Sequence, residues 1–157
     1  MLLKFIIIHR SALKAVLSVL LVSACIQGPP KVVIFDNYPR TEAKKVFLAG
    51  FESISERYIE IASPALFTME GLQGLGSIDP AITVEAEGGE VILKVNNDIA
   101  GRLSAPKINN AKSWAELTVN IIALSRQKSV EIKDATPEKI YEAVFDGILS
   151  NLDIYSR

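Results

Sequence analysis

The sequence predicts an α+β fold, mainly α, of about four helices with one two-stranded β-hairpin inserted between the second and third. Three observations carry that expectation. Apolar residues recur at spacings of 3 and 4 in three separate stretches, a Gly-Gly pair at 88–89 divides two alternating runs, and Ser or Thr start signals precede the helical stretches. With 157 residues, 49% hydrophobic and 22% charged, the chain has the composition of a globular protein and the length for one small domain.

Residues 1–24 stand apart from the rest. Lys4, Arg10 and Lys14 punctuate an apolar start, an uncharged core follows over 15–22, and the small residues Ser23 and Ala24 close it, which is the build of a secretory signal. The uncharged stretch falls short of the roughly 20 apolar residues that a membrane span wants. Val22-Ser23-Ala24-Cys25 then resembles the lipobox of bacterial lipoproteins, so Cys25, the sole cysteine, is the expected lipid attachment site. Plain cleavage between Ala24 and Cys25 and an uncleaved anchor are the competing readings. With one cysteine, an intrachain disulfide is excluded. Two acyl chains on Cys25 would hold the protein stably at a membrane, and the expected location is the bacterial periplasm. Residues 25–40, with Pro29-Pro30 preventing regular pairing, form the expected tether, and 41–157 the helical domain with its hairpin at 82–95. Residues 1–24 hold three of the 17 basic residues and none of the 18 acidic ones, so the remainder carries a net charge of about −4. That balance argues against nucleic-acid binding.

Val32-Val33-Ile34-Phe35 is either a short strand or a hydrophobic lead-in. Thr41 is the expected cap of a first helix over 41–58, in which Phe47, Phe51, Ile54 and Tyr58 share one face. Ser63-Pro64 starts a second helix, and Gly74 and Gly76 mark its end. Around the Gly88-Gly89 turn, Ala86 pairs with Val91, Val84 with Leu93 and Ile82 with Val95, which places all six apolar residues on one face. An isolated hairpin is marginal in water, so that face is expected to pack on the helices. Glu85 falls opposite Ile92 on the other face. Ser113 and Glu116 form a candidate capping box for a third helix running to about Gln127, with Trp114, Leu117, Ile121 and Leu124 as its stripe. Thr136-Pro137 opens a fourth, with Tyr141, Val144 and Ile148 as core and Ile140 and Phe145 beside them.

A helical phrase occurs twice. Ser63-Pro64 through Gly71, Gly74-Leu75 and Ile78-Asp79 is matched about 73 residues later by Thr136-Pro137 through Gly147-Ile148 and Leu152-Asp153. The second copy, 140–153, resembles the end of the N-terminal helical region of tail-specific, carboxyl-terminal processing serine proteases. Glu56-Arg57-Tyr58-Ile59-Glu60 through Ile78-Asp79-Pro80 looks like the same family's lead into its helix. The resemblance implies an assembly or positioning role for the region, with the family's PDZ domain and Ser/Lys catalytic core lying beyond it. No catalytic residue of the family maps onto this chain. Ile154-Tyr155 also departs from the family, which commonly has Pro and then His or Arg after Leu-Asp.

The expected function is therefore a non-catalytic, exported and membrane-tethered module acting through a protein partner or self-association. The alternative is a truncated or split peptidase fragment, active only with a separately supplied core. His9, the only histidine, lies in the leader, which removes a histidine triad or histidine metal site from the domain. Gly71, Gly74 and Gly76 read as helix termination rather than a phosphate loop, and Asn96-Asn97-Asp98 as a polar turn rather than a calcium loop. No cofactor, metal or small-molecule substrate is expected. If the second phrase packs on a separate domain, Tyr141, Val144, Phe145 and Ile148 would form an exposed patch.

Overall fold

The computed structural model describes residues 37–57 and 63–155, the side chains of 151 and 153–155 excepted. The leader, Cys25, the 32–35 run and Tyr58 lie outside the described residues. Five α-helices and a three-stranded antiparallel sheet follow in the order α1 (Arg40–Arg57), α2 (Pro64–Gln73), β1 (Ile82–Glu87), β2 (Glu90–Val95), β3 (Asp98–Ser104), α3 (Ala111–Lys128), α4 (Val130–Asp134) and α5 (Pro137–Tyr155). A 3-10 turn, Gly74–Ser77, extends α2. The predicted α+β, mainly α class is the observed one.

The β1–β2 register is the predicted one, with Ile82 opposite Val95, Val84 opposite Leu93 and Ala86 opposite Val91. Gly88 and Gly89, at φ 60° and 80°, make the two-residue turn that only residues tolerant of positive φ can form. The expectation of two strands is overturned. Asn96 and Asn97 repeat the same turn at φ 52° and 69° and send the chain back as β3. Asp98-Ile99-Ala100-Gly101-Arg102-Leu103-Ser104 hides this return because its alternation breaks at a bulge. Leu93 pairs with Gly101 and Lys94 with Ile99, leaving Ala100 without an opposite residue. Gly101 also admits α3, since a Cβ there would stand 2.4 Å from the Leu124 side chain.

Of the six apolar hairpin residues, Ile82, Val84, Val91 and Leu93 are buried, Val95 is half-buried, and Ala86, beside the turn, is exposed. Ile92 lies on the opposite face, as predicted, yet is buried. The third strand gives it Arg102 as a second cross-strand neighbour beside Glu85.

The helices begin where local chemistry satisfies their first N–H groups. Ser63 Oγ accepts from Leu66 N at 3.3 Å and Thr136 Oγ1 from Lys139 N at 3.3 Å, so both Ser/Thr-Pro starts hold. The other two expected caps are corrected. The Pro39 carbonyl accepts from Ala43 N at 2.9 Å, which puts exposed Thr41 inside the first turn of α1. Asn110, not Ser113, caps α3 by accepting from Ser113 N at 2.9 Å, and Glu116 instead reaches Lys44 on α1 at 2.7 Å. Ser129, in extended backbone, ends α3 and caps a short helix absent from the expected count of four, with Ile132 of α4 fully buried.

α3 is the central element. Beyond the predicted Trp114, Leu117 and Ile121, it also buries Ala115, Thr118, Val119, Ile122, Ala123, Ser125 and Arg126. α1 runs antiparallel to it, Arg40 bonding Asn120 one turn from the Lys44–Glu116 pair. The core stripe of α5 is Ile140, Val144, Ile148 and Leu152: Val144 and Ile148 are the expected core residues, and Ile140 takes the place expected for Tyr141. Tyr141 and Phe145 flank it, half-buried, in an aromatic cluster with Phe47, Phe51 and Phe67. Phe51 and Phe67 meet edge to face at 5.0 Å.

Candidate functional site

The two copies of the repeated phrase meet at one helix crossing. α2 and α5 approach so closely that a Cβ on Gly74 would lie 2.0 Å from the Ala143 carbonyl oxygen. One on Gly147 would lie 2.8 Å from the Glu70 carbonyl oxygen and 3.2 Å from Gly71 Cα. At Gly71 a Cβ would lie 2.8 Å from the Ile148 side chain. Gly71, read as part of the helix end, lies inside α2 and is a contact position; Gly74 does stand at the end of α2, as expected, with helical dihedrals, and is a contact position as well. Gly50 on α1 makes a similar recess for the ring of Phe145, whose atoms would come within 2.4 Å of an added Cβ. Each copy of the phrase supplies one wall of the same contact.

That packing corrects the expectation of an exposed patch. Val144 and Ile148 are fully buried against the glycine face of α2, and Tyr141 and Phe145 pack on Phe47. Large apolar side chains that do reach solvent are others: Val46 on α1, Leu66 on α2, Ile99 on β3, Ile108 in the loop before α3, Val130 on α4 and Leu149 on α5.

A charged group is buried where α3 packs on α4, beside Tyr38. Arg126, 8% exposed, donates from one guanidinium nitrogen to the Ile132 carbonyl at 3.0 Å and the Ala135 carbonyl at 3.2 Å. These carbonyls belong to the C-terminal end of α4, where a positive charge is favoured. Its guanidinium carbon stands 5.2 Å from the centre of the Tyr38 ring, within cation–π range. Burial raises the Tyr141 phenol above the ordinary tyrosine range, an effect partly opposed by a side-chain hydrogen bond with Tyr38. Glu116 shows the converse. Its hydrogen bond and charge interaction with Lys44 hold the carboxyl below the ordinary glutamate value.

Five serines serve the helices. Ser77, Ser125 and Ser150 donate to carbonyls three or four residues back, while Ser63 and Ser129 cap helix starts. Asp79, buried, accepts from Ala81 N at 2.9 Å and so shapes the turn into β1. Among the described residues no group of three His, Cys, Asp or Glu stands close enough to hold a metal ion, and no helix is long and apolar enough to cross a membrane.

The concavity that the sequence did not announce is an open groove of ≈ 500 Å³ beside β1. Gln73, Gly76 and Pro80 line it together with residues 82–85. No periodicity reports which edge of a sheet stays open. Only Pro80 just ahead of β1 hinted at an edge strand. Comparison with family models, curated proteins and solved structures returns no match for the chain.

Proposed function

We propose that the chain is an exported, membrane-tethered module akin to the N-terminal helical region of carboxyl-terminal processing proteases, without catalysis of its own, and that it works by contacting another protein. The observation that supports this best is the α2–α5 crossing. The described parts of both segments that carry the resemblance pack against each other, and their shared glycines have a structural reason. The serines named above are engaged in capping and helix-backbone bonds, which fits a scaffold better than a nucleophile. The second reading, a peptidase fragment completed by a separate PDZ and Ser/Lys core, draws support from Leu149, 48% exposed just before the Leu-Asp end of the phrase.

The purified chain should leave unstructured proteins and peptides uncut. Turnover that disappears in a single Ser→Ala variant would overturn the non-catalytic reading. Co-expression with a PDZ and Ser/Lys core separates the two readings, because gain of peptidase activity on mixing supports the split enzyme. Metabolic palmitate label should enter the chain and vanish in Cys25→Ser, and label that persists removes Cys25 as the anchor.

A further inference from the structure

Among the described residues six large apolar side chains reach solvent, and Ile108 differs from the rest in its electrostatic surroundings. Val46, Leu66, Ile99, Val130 and Leu149 each have a carboxylate within four positions along the same element, at Glu42, Glu70, Asp98, Glu131 and Asp146. Ile108, 66% exposed, has none between Asp98 and Glu116, and Lys107 and Lys112 stand on either side of it.

The loop that carries Ile108 is tied to α2. Asn109 Oδ1 accepts from Ala65 N at 3.0 Å, which brings the surface of Pro64 and Leu66 up to that of Pro106 and Ile108. Leu66 is 44% exposed and both prolines are half-buried. Residues 63–69 and 99–115 hold no acid at all. Glu70, the next on α2, is half-buried. Glu116, the next on α3, bonds Lys44 at 2.7 Å and also feels the charge of Lys112, so two lysines oppose one carboxylate. The outcome is an apolar tip with Lys107 and Lys112 at its rim and Lys44 behind them, on a chain that carries about −4 beyond residue 24.

An apolar side chain at the end of a loop, flanked by lysines, matches a bilayer with anionic headgroups. The apolar group enters the acyl boundary while the long lysine stems keep their ammonium groups at the phosphates. The length of chain ahead of α1 permits this. Tyr38 packs on Arg126, sixteen residues along α3 from Asn110, which is about 24 Å at the helical rise. Thirteen residue steps lead from Cys25 to Tyr38, about 43 Å when extended. An anchor at Cys25 therefore leaves enough slack for the far end of α3 to lie on the same bilayer.

We propose that the tip formed by Leu66, Lys107, Ile108 and Lys112 rests on an anionic bilayer, Leu66 and Ile108 entering the headgroup region and the lysines meeting lipid phosphates. The inference rests on the membrane-tethered reading, though not on the protease kinship. A tether limits only the distance to the membrane; this contact decides which end of the domain meets it.

Ile108→Trp and Leu66→Trp place reporters on the tip and Val130→Trp places one at the other end of α3, while the parent chain, whose sole tryptophan is 5% exposed, sets the baseline. Each full chain is bound to vesicles of brominated phosphatidylcholine with or without phosphatidylglycerol, and flotation and tryptophan quenching are read together. Both tip reporters should be quenched on vesicles that contain phosphatidylglycerol, and Val130→Trp should not. Adding Lys107→Glu and Lys112→Glu to Ile108→Trp should cut the quenching by roughly fivefold or more, since one lysine near an anionic surface contributes about that factor, and raised salt should act the same way. Flotation without tip quenching overturns the contact and leaves the tether in place. Quenching that survives the two glutamates, or that Val130→Trp shares, overturns it as well. So does a blue shift of the Ile108→Trp emission with rising protein concentration in place of quenching, which gives the tip to a second copy. If palmitate label is absent from the chain while charge-dependent tip quenching persists, the tether reading falls and the lipid contact stands.

Discussion

Replacing Gly74 by Ala tests the helix crossing directly. In an ordinary helix the change would help, because Ala surpasses Gly by roughly 0.5–1 kcal/mol. Here the new Cβ would stand 2.0 Å from the Ala143 carbonyl oxygen, 3.0 Å from the Ala143 carbonyl carbon and 3.4 Å from Gly147 Cα. All three neighbours are backbone, so no side chain can swing aside. α2 and α5 must part by more than an ångström locally, which withdraws Ile148 and Val144 from the groove they fill. Overpacking of this kind typically costs about 1–3 kcal/mol, and a backbone clash belongs at the upper end. A net loss of about 3 kcal/mol is expected, lowering the melting temperature by roughly 10 °C or more. Urea unfolding read by the fluorescence of Trp114, the sole tryptophan and 5% exposed, measures it, with far-UV dichroism as second probe. Gly76→Ala is the control, since its Cβ would meet nothing nearer than 3.6 Å, and its midpoint should stay within about 0.5 kcal/mol of the parent. Equal midpoints for the two variants would refute the claim that the phrase's glycines exist for close approach.

Other outcomes follow from single side chains. Thr68 is fully buried with its hydroxyl unbonded, so Thr68→Val should raise stability by about 1 kcal/mol in the same urea assay, and a loss would mean the hydroxyl has a partner. Arg126→Met keeps much of the side-chain volume but strands the Ile132 and Ala135 carbonyls, and should cost about 2–4 kcal/mol; a neutral result would show that water replaces the guanidinium. Tyr141 has a raised phenol pKa, so the folded state holds this proton more tightly than the unfolded chain. Its contribution is fully present below pH ~10 and fades as pH rises through the folded value. Tyr141→Phe should flatten that alkaline loss. Glu116, lowered by Lys44, works oppositely, contributing above pH ~4.3 and fading as acid protonates it. The pair is half exposed, so Glu116→Gln should reduce stability at neutral pH by no more than about 1 kcal/mol.

Where the chain signals its structure locally, the sequence is a good guide. Gly88-Gly89 between alternating runs defines both turn and register, and Ser63-Pro64 and Thr136-Pro137 cap as expected, because each satisfies its own neighbours. What was not legible depends on distant partners. β3 could not be read from Ile99, Ala100 and Gly101, since its pairing comes from β2 and its glycine from the approach of Leu124. Ser113 and Glu116 have the spacing of a capping box, but Asn110 offers a cap one turn earlier and Lys44 draws Glu116 away. Gly71 looks like a terminator until α5 is laid against it, and Gly74, which does end α2, is also a contact position for α5. The groove beside β1 is of the same kind. Its floor is a strand edge and its rim a 3-10 turn, joined only in three dimensions.

The crossing also orders events during folding. α2 emerges with a bare glycine face and the ring of Phe67, and its wall arrives only with α5, separated by the whole sheet, α3 and α4. Contacts this far apart in sequence form late, because loop closure must precede their reward. A chain interrupted before Pro137 would therefore hold Phe47 and Phe51 without their cover from Phe145, and the glycine face of α2 without Ile148, and would present that apolar surface to whatever chaperone or neighbouring chain is at hand.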